Sequence, residues 1–549
     1  MYYSQAPKGR RARIAPRGAD WFAVLEMPPE VAPWLQVLPG FYQDLSSGEF
    51  LLPANLVLAR QDLFEVPEIA RPKPANVPET VGSITLRSYQ RTGVRFCLER
   101  SGALLADDVG LGKTLQATLT AIIGNHKKIL VCGPLVSRAV WCSEKGDPYK
   151  HLGIVVKPVK GRTNVEPEAF EGASWVFVHY DILKDWFGML AYHFQPDCLI
   201  FDEVGELRGR RTDRSRYARD LSLLATVKRR LLLSATPISN ELVEFWPLLD
   251  CAQPKAWGNV VKFGERYASG VKGPYGMEYG EATHRQEFTA RLQQVMIRRT
   301  RGEVMTELPS RQRHPVAVTI SQKDMAAYLE VEHDVRAAVG EITDGSERLV
   351  QITKLCQLLA RAKVKAGTAQ ALKALEAHDK VVVFSWFKAT TKRIATALEK
   401  AGVTVFGPVS GEVSMTRREE LAAALGEATG KCAFVATTGS CTMSMNALVV
   451  ASAVVFSDLW WVPDVLLQAE GRVHRDGQTR PVDVFFLRAE GTLDDLMLQK
   501  LDEKAKNVEE AGATTDGADQ VGALVNTIRG ADGPSPIDSL IDGLMKAKY

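Results

Sequence analysis

Gly110, Gly112, Lys113 and Thr114 are the residues of this chain best suited by type and spacing to chemistry. They follow a short apolar run at 103–106 and open a helical stretch, with Asp107 and Asp108 leading in, which is the build of a phosphate-binding loop. In such a loop backbone N–H groups point at the β and γ phosphates, and the helix N-terminus adds partial positive charge. Lys113 would neutralise phosphate charge and Thr114 would hold Mg²⁺ through its hydroxyl. The common pattern has glycine where this chain has Asp107, so the loop alone leaves open a glycine-rich turn without nucleotide. Asp202 and Glu203 form a second set, following the apolar run 198–201. That position is the carboxyl end of a buried strand, where ligands of open α/β sheets collect. There Asp202 would hold Mg²⁺ through water, and Glu203 would orient and deprotonate an attacking water. Gln90, just ahead of the loop, offers a planar amide for an adenine edge. Arg472 and Arg475 stand three apart on one expected helical face. They read either as salt-bridged surface residues or as arginine fingers for a γ-phosphate.

These residues need strands to deliver them, and the hydrophobic pattern supplies strands alternating with helices, as in a parallel sheet covered on both faces. The alternation begins at residue 84, with strands expected at 128–132, 175–178, 198–201 and 230–236. It resumes at 380–385, 431–437, 453–457 and 482–487, which makes a second α/β lobe without a phosphate loop of its own. Ser234 and Thr236 would hydrogen-bond to the Asp–Glu pair and couple hydrolysis to lobe movement. The expected domains are an accessory module and linker at 1–80, an ATP-binding lobe at 81–255, mainly helical insertions at 256–375 broken by a glycine-rich loop at 270–276, a second lobe at 376–510 and a tail at 511–549. Within the module, residues 42–51 read as a hairpin around Ser-Ser-Gly. Its basic arm (Lys8, Arg10, Arg11, Arg13, Arg17) reads either as a solvated tail or as a phosphate contact.

At 549 residues the chain is too long for one core. Its composition, 46% hydrophobic and 24% charged, is that of an ordinary globular protein without an expected membrane span or signal core, hence cytoplasmic or nucleoid-associated. The eight cysteines are scattered singly, which argues against a zinc site or a disulfide framework. A net charge of +3 is too small to argue nucleic-acid binding, so that case rests on local clusters. One exists: residues 207–219 carry six arginines, among them Arg210, Arg211 and Arg214. Read alone the run is a solvated charged face; beside an ATP site, contact with a phosphate backbone is favoured.

Taken together, the motifs resemble the Swi/Snf-type branch of the superfamily-two helicases, in order, over residues 84 to 510. The resemblance is carried by 86–90, 107–114, 134–141, Tyr180 with Asp181, Asp202 with Glu203, 234–240 with 244–246, 297–300 with Leu308 and Pro309, and 468–478. That family also has an acidic residue where Asp107 stands. The segments 460–463, 468–475 and 491–495 followed by 510–512 look most like the annealing-helicase subgroup, and residues 34–53 resemble its small substrate-recognition module. The resemblance implies two RecA-like lobes, ATP and Mg²⁺ as cofactors, and double-stranded or branched DNA, with DNA-bound proteins, as partners. It implies a duplex translocase that remodels DNA or protein–DNA complexes. The alternatives are a strand-separating DNA or RNA helicase and a non-hydrolysing, ATP-switched DNA scaffold. Two departures stand out: Val204 and Gly205 replace the family's alanine and histidine, and Cys441 and Thr442 replace a glycine pair ahead of Asn446, which the resemblance makes a DNA contact.

Overall fold

The structure is a computed structural model that describes residues 11–495 and 497, except 18–19, 45, 62, 66–74, 164, 236–241, 274–275, 281, 306, 342–344, 442–444 and 461–462. The chain forms two compact units that meet in sequence at Val304 and Met305. The first is built on a seven-stranded parallel sheet with spatial order Lys157–Pro158, Trp175–His179, Ile129–Gly133, Cys198–Phe201, Arg229–Leu233, Gly102–Leu105 and Met296–Ile297. Gly102–Leu105, Ile129–Gly133 and Cys198–Phe201 are buried at every position, because helices cover both faces of the sheet. Their carboxyl ends release the chain into the phosphate loop and into Asp202 and Glu203.

The second unit holds a six-stranded parallel sheet ordered Arg311–Val318, Val482–Ala489, Ala453–Phe456, Lys380–Ser385, Cys432–Thr437 and Thr404–Val409. Both lobes are therefore α/β, as the alternation predicts, and together they form the two RecA-like lobes. Within these two sheets, four described strands lay outside the sequence expectation: Lys157–Pro158, Met296–Ile297, Arg311–Val318 and Thr404–Val409. The stretch 256–375, expected as mainly helical insertions, is shared between the two units and supplies a strand to each sheet. Its glycine-rich segment, expected as a loop, pairs Val271–Gly273 against Gly276–Glu278 as a hairpin. Six described cysteines are buried and Cys142 is half-buried. No described helix is long and apolar enough to cross a membrane.

The N-terminal module is a five-stranded sheet, Tyr42–Gln43, Phe50–Pro53, Trp21–Glu26, Ala12–Arg17 and Phe64–Glu65, with the expected hairpin pairing Tyr42 to Leu51. Its basic arm is in part a strand. Arg13 and Arg17 lie on Ala12–Arg17; antiparallel register sets Arg13 opposite Glu26, with which it pairs, and Arg17 pairs with Glu49; Lys8 and Arg10 lie outside the described residues. The module is fastened to the first lobe by a buried polar hub. The fully buried Arg291 donates to Asn55 Oδ1 at 2.9 Å, to the carbonyls of Ala256 at 2.7 Å and Pro39 at 3.2 Å, and to the Tyr267 hydroxyl at 2.9 Å. Nearby, Glu287 accepts from Arg266, Tyr267 and Arg60.

Burial by itself would raise the Glu287 pKa. The hydrogen bond and charge of Arg266, the Tyr267 hydroxyl and the charge of Arg291 outweigh it and hold the carboxyl at about 2, against an ordinary 4.5. A depressed carboxylate pKa contributes stability that is complete above the unfolded value and disappears as pH falls through the folded one. Acid titration of the folded protein should therefore lose on the order of 3 kcal/mol from this group between about pH 4.5 and pH 2. Glu287→Gln should flatten that part of the stability profile, measured by denaturant unfolding across the same range; an unchanged acid slope would remove Glu287 as its source.

Candidate nucleotide site and the arginine motif

The phosphate loop is shaped by glycine and tied down from outside. Gly110 and Gly112 sit at φ +89° and +75°, left-handed conformations that side chains rarely adopt. A Cβ on Gly112 would also stand 2.8 Å from Gln90 Nε2, so the amide expected to read adenine lies directly over the loop. Gln90 is oriented by accepting the Arg87 N–H at 3.1 Å, which closes the start of its helix, Ser88–Leu98. From Gly112 the chain enters the helix Lys113–Ile123.

Asp107, the departure from the common pattern, is fully buried and anchors the loop. Its carboxylate takes the Arg299 guanidinium through both oxygens, at 2.9 and 2.5 Å, and accepts the Gln116 amide at 3.1 Å. Arg299 also donates to Gln116 Oε1 at 3.0 Å and to the Tyr89 carbonyl. Asp108 is held the same way from the same segment: its N–H donates to the Arg299 carbonyl at 3.0 Å and its carboxylate accepts the Arg301 N–H at 3.1 Å. Asp108 thus fixes the loop backbone through residues 299–301.

Lys113 Nζ donates to the carbonyls of Asp107 at 2.7 Å and Asp108 at 3.1 Å. Burial lowers its pKa, and the charges of Glu203, Asp107, Asp108 and Asp202 pull it back, Glu203 most strongly. The lysine and the Asp–Glu pair, ninety residues apart in sequence, therefore act on one another in the fold. Asp202 is oriented from three sides. Its Oδ2 accepts the buried Trp141 indole N–H at 3.0 Å, its Oδ1 accepts the Glu203 N–H at 3.1 Å, and its carbonyl accepts the Tyr180 hydroxyl at 2.7 Å. Burial raises the Tyr180 pKa well above its ordinary value, which keeps the hydroxyl a donor. Glu203 adopts φ +47°, a conformation that costs a non-glycine residue roughly 1–3 kcal/mol and collects at functional sites. The bend swings the chain from the strand into the short turn Val204–Leu207.

Mg²⁺ fits this donor set. Among the described residues no group of three or more His, Cys, Asp or Glu is placed to hold a metal ion. Mg²⁺ does not require one, since it is commonly bound by one or two protein oxygens together with substrate phosphates and water. The Thr114 hydroxyl at the start of its helix and the Asp202 carboxylate at the strand end are oxygens of that kind.

Elsewhere the structure redistributes the expected contacts. Thr236 lies outside the described residues, so the hydroxyl link to the Asp–Glu pair is described only as far as the buried Ser234. In the arginine run, Arg214 is committed to Asp181 and Glu206, and Arg210 lies 4.7 Å from the centre of the Tyr279 ring; Arg211 is exposed. Arg214 thus meets two carboxylates at the surface, whereas Arg210 and Arg211 do not share that pairing.

In the second lobe, Arg472 falls in the last turn of the helix Pro463–Val473, and Arg475 lies beyond its end. The expectation of one helical face for both is corrected: the helix stops at Val473, and the following turn carries His474 and Arg475. The rest of the motif is structural. Glu470, fully buried, pairs with Arg311 at 2.9 Å and Arg313 at 3.0 Å; His474 Nε2 donates to the Pro309 carbonyl at 2.9 Å. The Gln478 amide donates to the carbonyls of Val449 at 2.9 Å and Ala451 at 2.8 Å. Arg472 and Arg475 are half-buried on this scaffold. Asn446 opens the turn Asn446–Val450, and its side chain lies outside the described residues. Sequence reasoning missed Arg299, Arg311 and Arg313 as positioning residues; an arginine's partner has no local signal when it lies more than 150 residues away.

Residues 89–376 match the SNF2-related domain, and residues 360–477 the helicase conserved C-terminal domain. The chain is similar to the SWI/SNF-related matrix-associated actin-dependent regulator of chromatin subfamily A-like protein 1 of Xenopus tropicalis, 31% identical over 82% of this chain and 47% of that protein. It is also similar to the DNA annealing helicase and endonuclease ZRANB3 of Mus musculus, 26% identical over 77% of this chain and 40% of that protein. This chain thus spans about half the length or less of these two relatives. Among solved structures, it is similar to the Sulfolobus solfataricus SWI2/SNF2 ATPase core in complex with dsDNA, 22% identical with a TM-score of 0.39 over 81% of this chain and 98% of that one. The chain belongs to the SNF2-related family.

Proposed function

We propose that the protein is a Mg²⁺- and DNA-dependent ATPase that uses hydrolysis to move along duplex DNA, remodelling DNA or protein–DNA complexes. The observation that carries this reading is the electrostatic convergence of Lys113 with Glu203 and Asp202 across the carboxyl ends of the central strands. Phosphates would sit over the loop N–H groups and Lys113. Mg²⁺ bound by Thr114 and Asp202 would neutralise charge on the β and γ oxygens. Glu203 would take a proton as water attacks the γ-phosphorus; the bond to the β–γ bridging oxygen breaks, leaving ADP and phosphate. Arg472 and Arg475 would stabilise charge on the transferring group. Family relatives named for DNA annealing support a DNA substrate, and Arg210 and Arg211 supply cations for its backbone.

Lys113→Ala should weaken ATP binding, whereas Glu203→Gln should bind ATP normally and lower turnover by roughly 10²–10⁴-fold, since only water activation is removed. Near-normal turnover in Glu203→Gln would mean another base. Arg475→Ala should cut turnover by a factor on the order of 10³ at little changed ATP affinity, because a finger acts in the transition state; equal rates for variant and parent would reduce it to a structural residue. Replacing Arg210 and Arg211 with alanine should weaken duplex binding equally for all sequences and make the log–log salt slope shallower by about 2, while Arg214→Ala leaves the slope unchanged. A slope unaltered in the double variant would assign the run to solvent.

A further inference from the structure

Trp141 is fully buried, yet its N–H reaches the Asp202 carboxylate beyond the end of the central strand Cys198–Phe201, 3.0 Å away. The ring belongs to a core that includes Val131, Phe177 and Ile200, so packing sets the direction of the N–H. Its helix is held as closely at both ends. Before it, the strand Ile129–Gly133 closes on Gly133, where a Cβ would stand 3.2 Å from Ser137 Cβ and 3.3 Å from Asp202 Cβ, so the short helix Ser137–Cys142 turns back toward the acid. Beyond it, Gly146 packs on Val140, where a Cβ would stand 2.0 Å from the carbonyl oxygen, and Ser143 Oγ donates to the Ala139 carbonyl at 2.6 Å.

Two other buried tryptophans, Trp186 and Trp246, donate to the carbonyls of Gly161 and Gly258, each at 2.9 Å. Backbone carbonyls are the acceptors that packing ordinarily supplies. An acidic side chain is a different partner. The indole N–H is a donor only: it carries no charge and offers no lone pair, so it orients a carboxylate without competing with it for a cation. A lysine or arginine in its place would cancel the charge that attracts the cation. An ionised carboxylate has about four lone-pair sites. One on Oδ2 goes to Trp141 and one on Oδ1 to the Glu203 N–H, which fixes the rotation of the group and leaves a site free on each oxygen for a metal ion or its water. Asp202 thus keeps its charge and gains a set direction. Partners that orient a metal ligand in this way are commonly worth about 10–100-fold in metal affinity.

We propose that Trp141 is a positioning residue for the divalent cation: its buried N–H holds Asp202 in the orientation that receives Mg²⁺ or its water, and so sets the metal affinity of the nucleotide site. The inference rests on the nucleotide-site reading above and deepens it. The test uses the full chain with ADP, and Mn²⁺ as the probe, free Mn²⁺ being counted by electron paramagnetic resonance. Binding of ADP alone is measured in EDTA by calorimetry. Trp141→Phe keeps an aromatic ring in the core and removes the N–H. It should weaken Mn²⁺ binding to the ADP complex by roughly 10–100-fold, while ADP affinity in EDTA stays within about twofold of the parent. Benzothienylalanine at position 141 exchanges only the N–H for sulfur; it should show the same split, and it decides the matter if Trp141→Phe does not fold. Mn²⁺ affinity within about twofold of the parent, or metal and metal-free ADP binding falling together, would overturn the role of Trp141 and leave the nucleotide site standing. A parent whose ADP complex takes up no Mn²⁺ would overturn the nucleotide-site reading itself, and this proposal with it.

Discussion

The glycine loop and strand ends of the candidate nucleotide site in the first lobe hang on the buried pair between Asp107 and Arg299. A carboxylate with no exposed surface is tolerable only when its charge is matched and its lone pairs are filled, and here both oxygens meet the guanidinium while Gln116 takes a further position. Removing one partner of such a pair typically costs roughly 3–5 kcal/mol, because the other is left charged in a dry interior. The pair does more than hold charge. It draws the segment 296–301 against the edge of Gly102–Leu105, so that the chain enters the phosphate loop from a strand paired on both sides. Gly93 shows how tight the arrangement is: a Cβ there would fall 2.0 Å from Gln116 Oε1 and 2.6 Å from Arg299 Nη2.

The second lobe repeats the device. A buried glutamate in the arginine motif, Glu470, is clamped by Arg311 and Arg313 from the strand Arg311–Val318, which lies at the edge of the sheet. With His474 and Gln478 spent on backbone carbonyls, the motif divides its labour. Glu470, His474 and Gln478, four residues apart, set the geometry of the segment that carries Arg472 and Arg475. In both lobes the clamp comes from the stretch that sequence periodicity reads as insertion. Each clamp joins residues more than 150 positions apart, so both lobes depend on contacts of long range.

Outside the two sites the fold rigidifies pieces that could have hung loosely. Arg291 stitches the N-terminal sheet to the first lobe through Asn55 and three backbone or hydroxyl oxygens, and it stacks 4.2 Å from the Trp257 ring. Gly40 lets the two surfaces close, since a Cβ there would stand 2.1 Å from the Ala256 carbonyl oxygen. The hairpin at 271–278 is seated by the same logic on Gly264, where a Cβ would stand 1.9 Å from Tyr279 Cε1. At Gly205, where the resemblance leads to the expectation of histidine, the Arg208 guanidinium lies 3.4 Å from the place a Cβ would take, so that space is filled from within the turn.

Sequence by itself determined the α/β class, the central strands of both sheets, and the placing of Gly110, Gly112, Lys113 and Thr114 at a strand-to-helix loop and of Asp202 and Glu203 at a strand end. Those features are written in local patterns: apolar runs of strand length, glycines where φ must be positive, and acids at strand ends. Edge strands such as Arg311–Val318, rich in charge and broken by Pro315, gave no such pattern, because their place is set by a neighbour's hydrogen bonds. Periodicity also overran the end of the helix Pro463–Val473, which stops where Glu470, His474 and Gln478 are pulled to tertiary partners. Whether an arginine faces solvent, a carboxylate or an aromatic ring was likewise decided only in three dimensions: Arg210, Arg211 and Arg214 are alike in sequence, and the fold gives each a different surrounding. A charged side chain takes its role from the charge it meets, and that partner is chosen by the packing of segments distant in the chain.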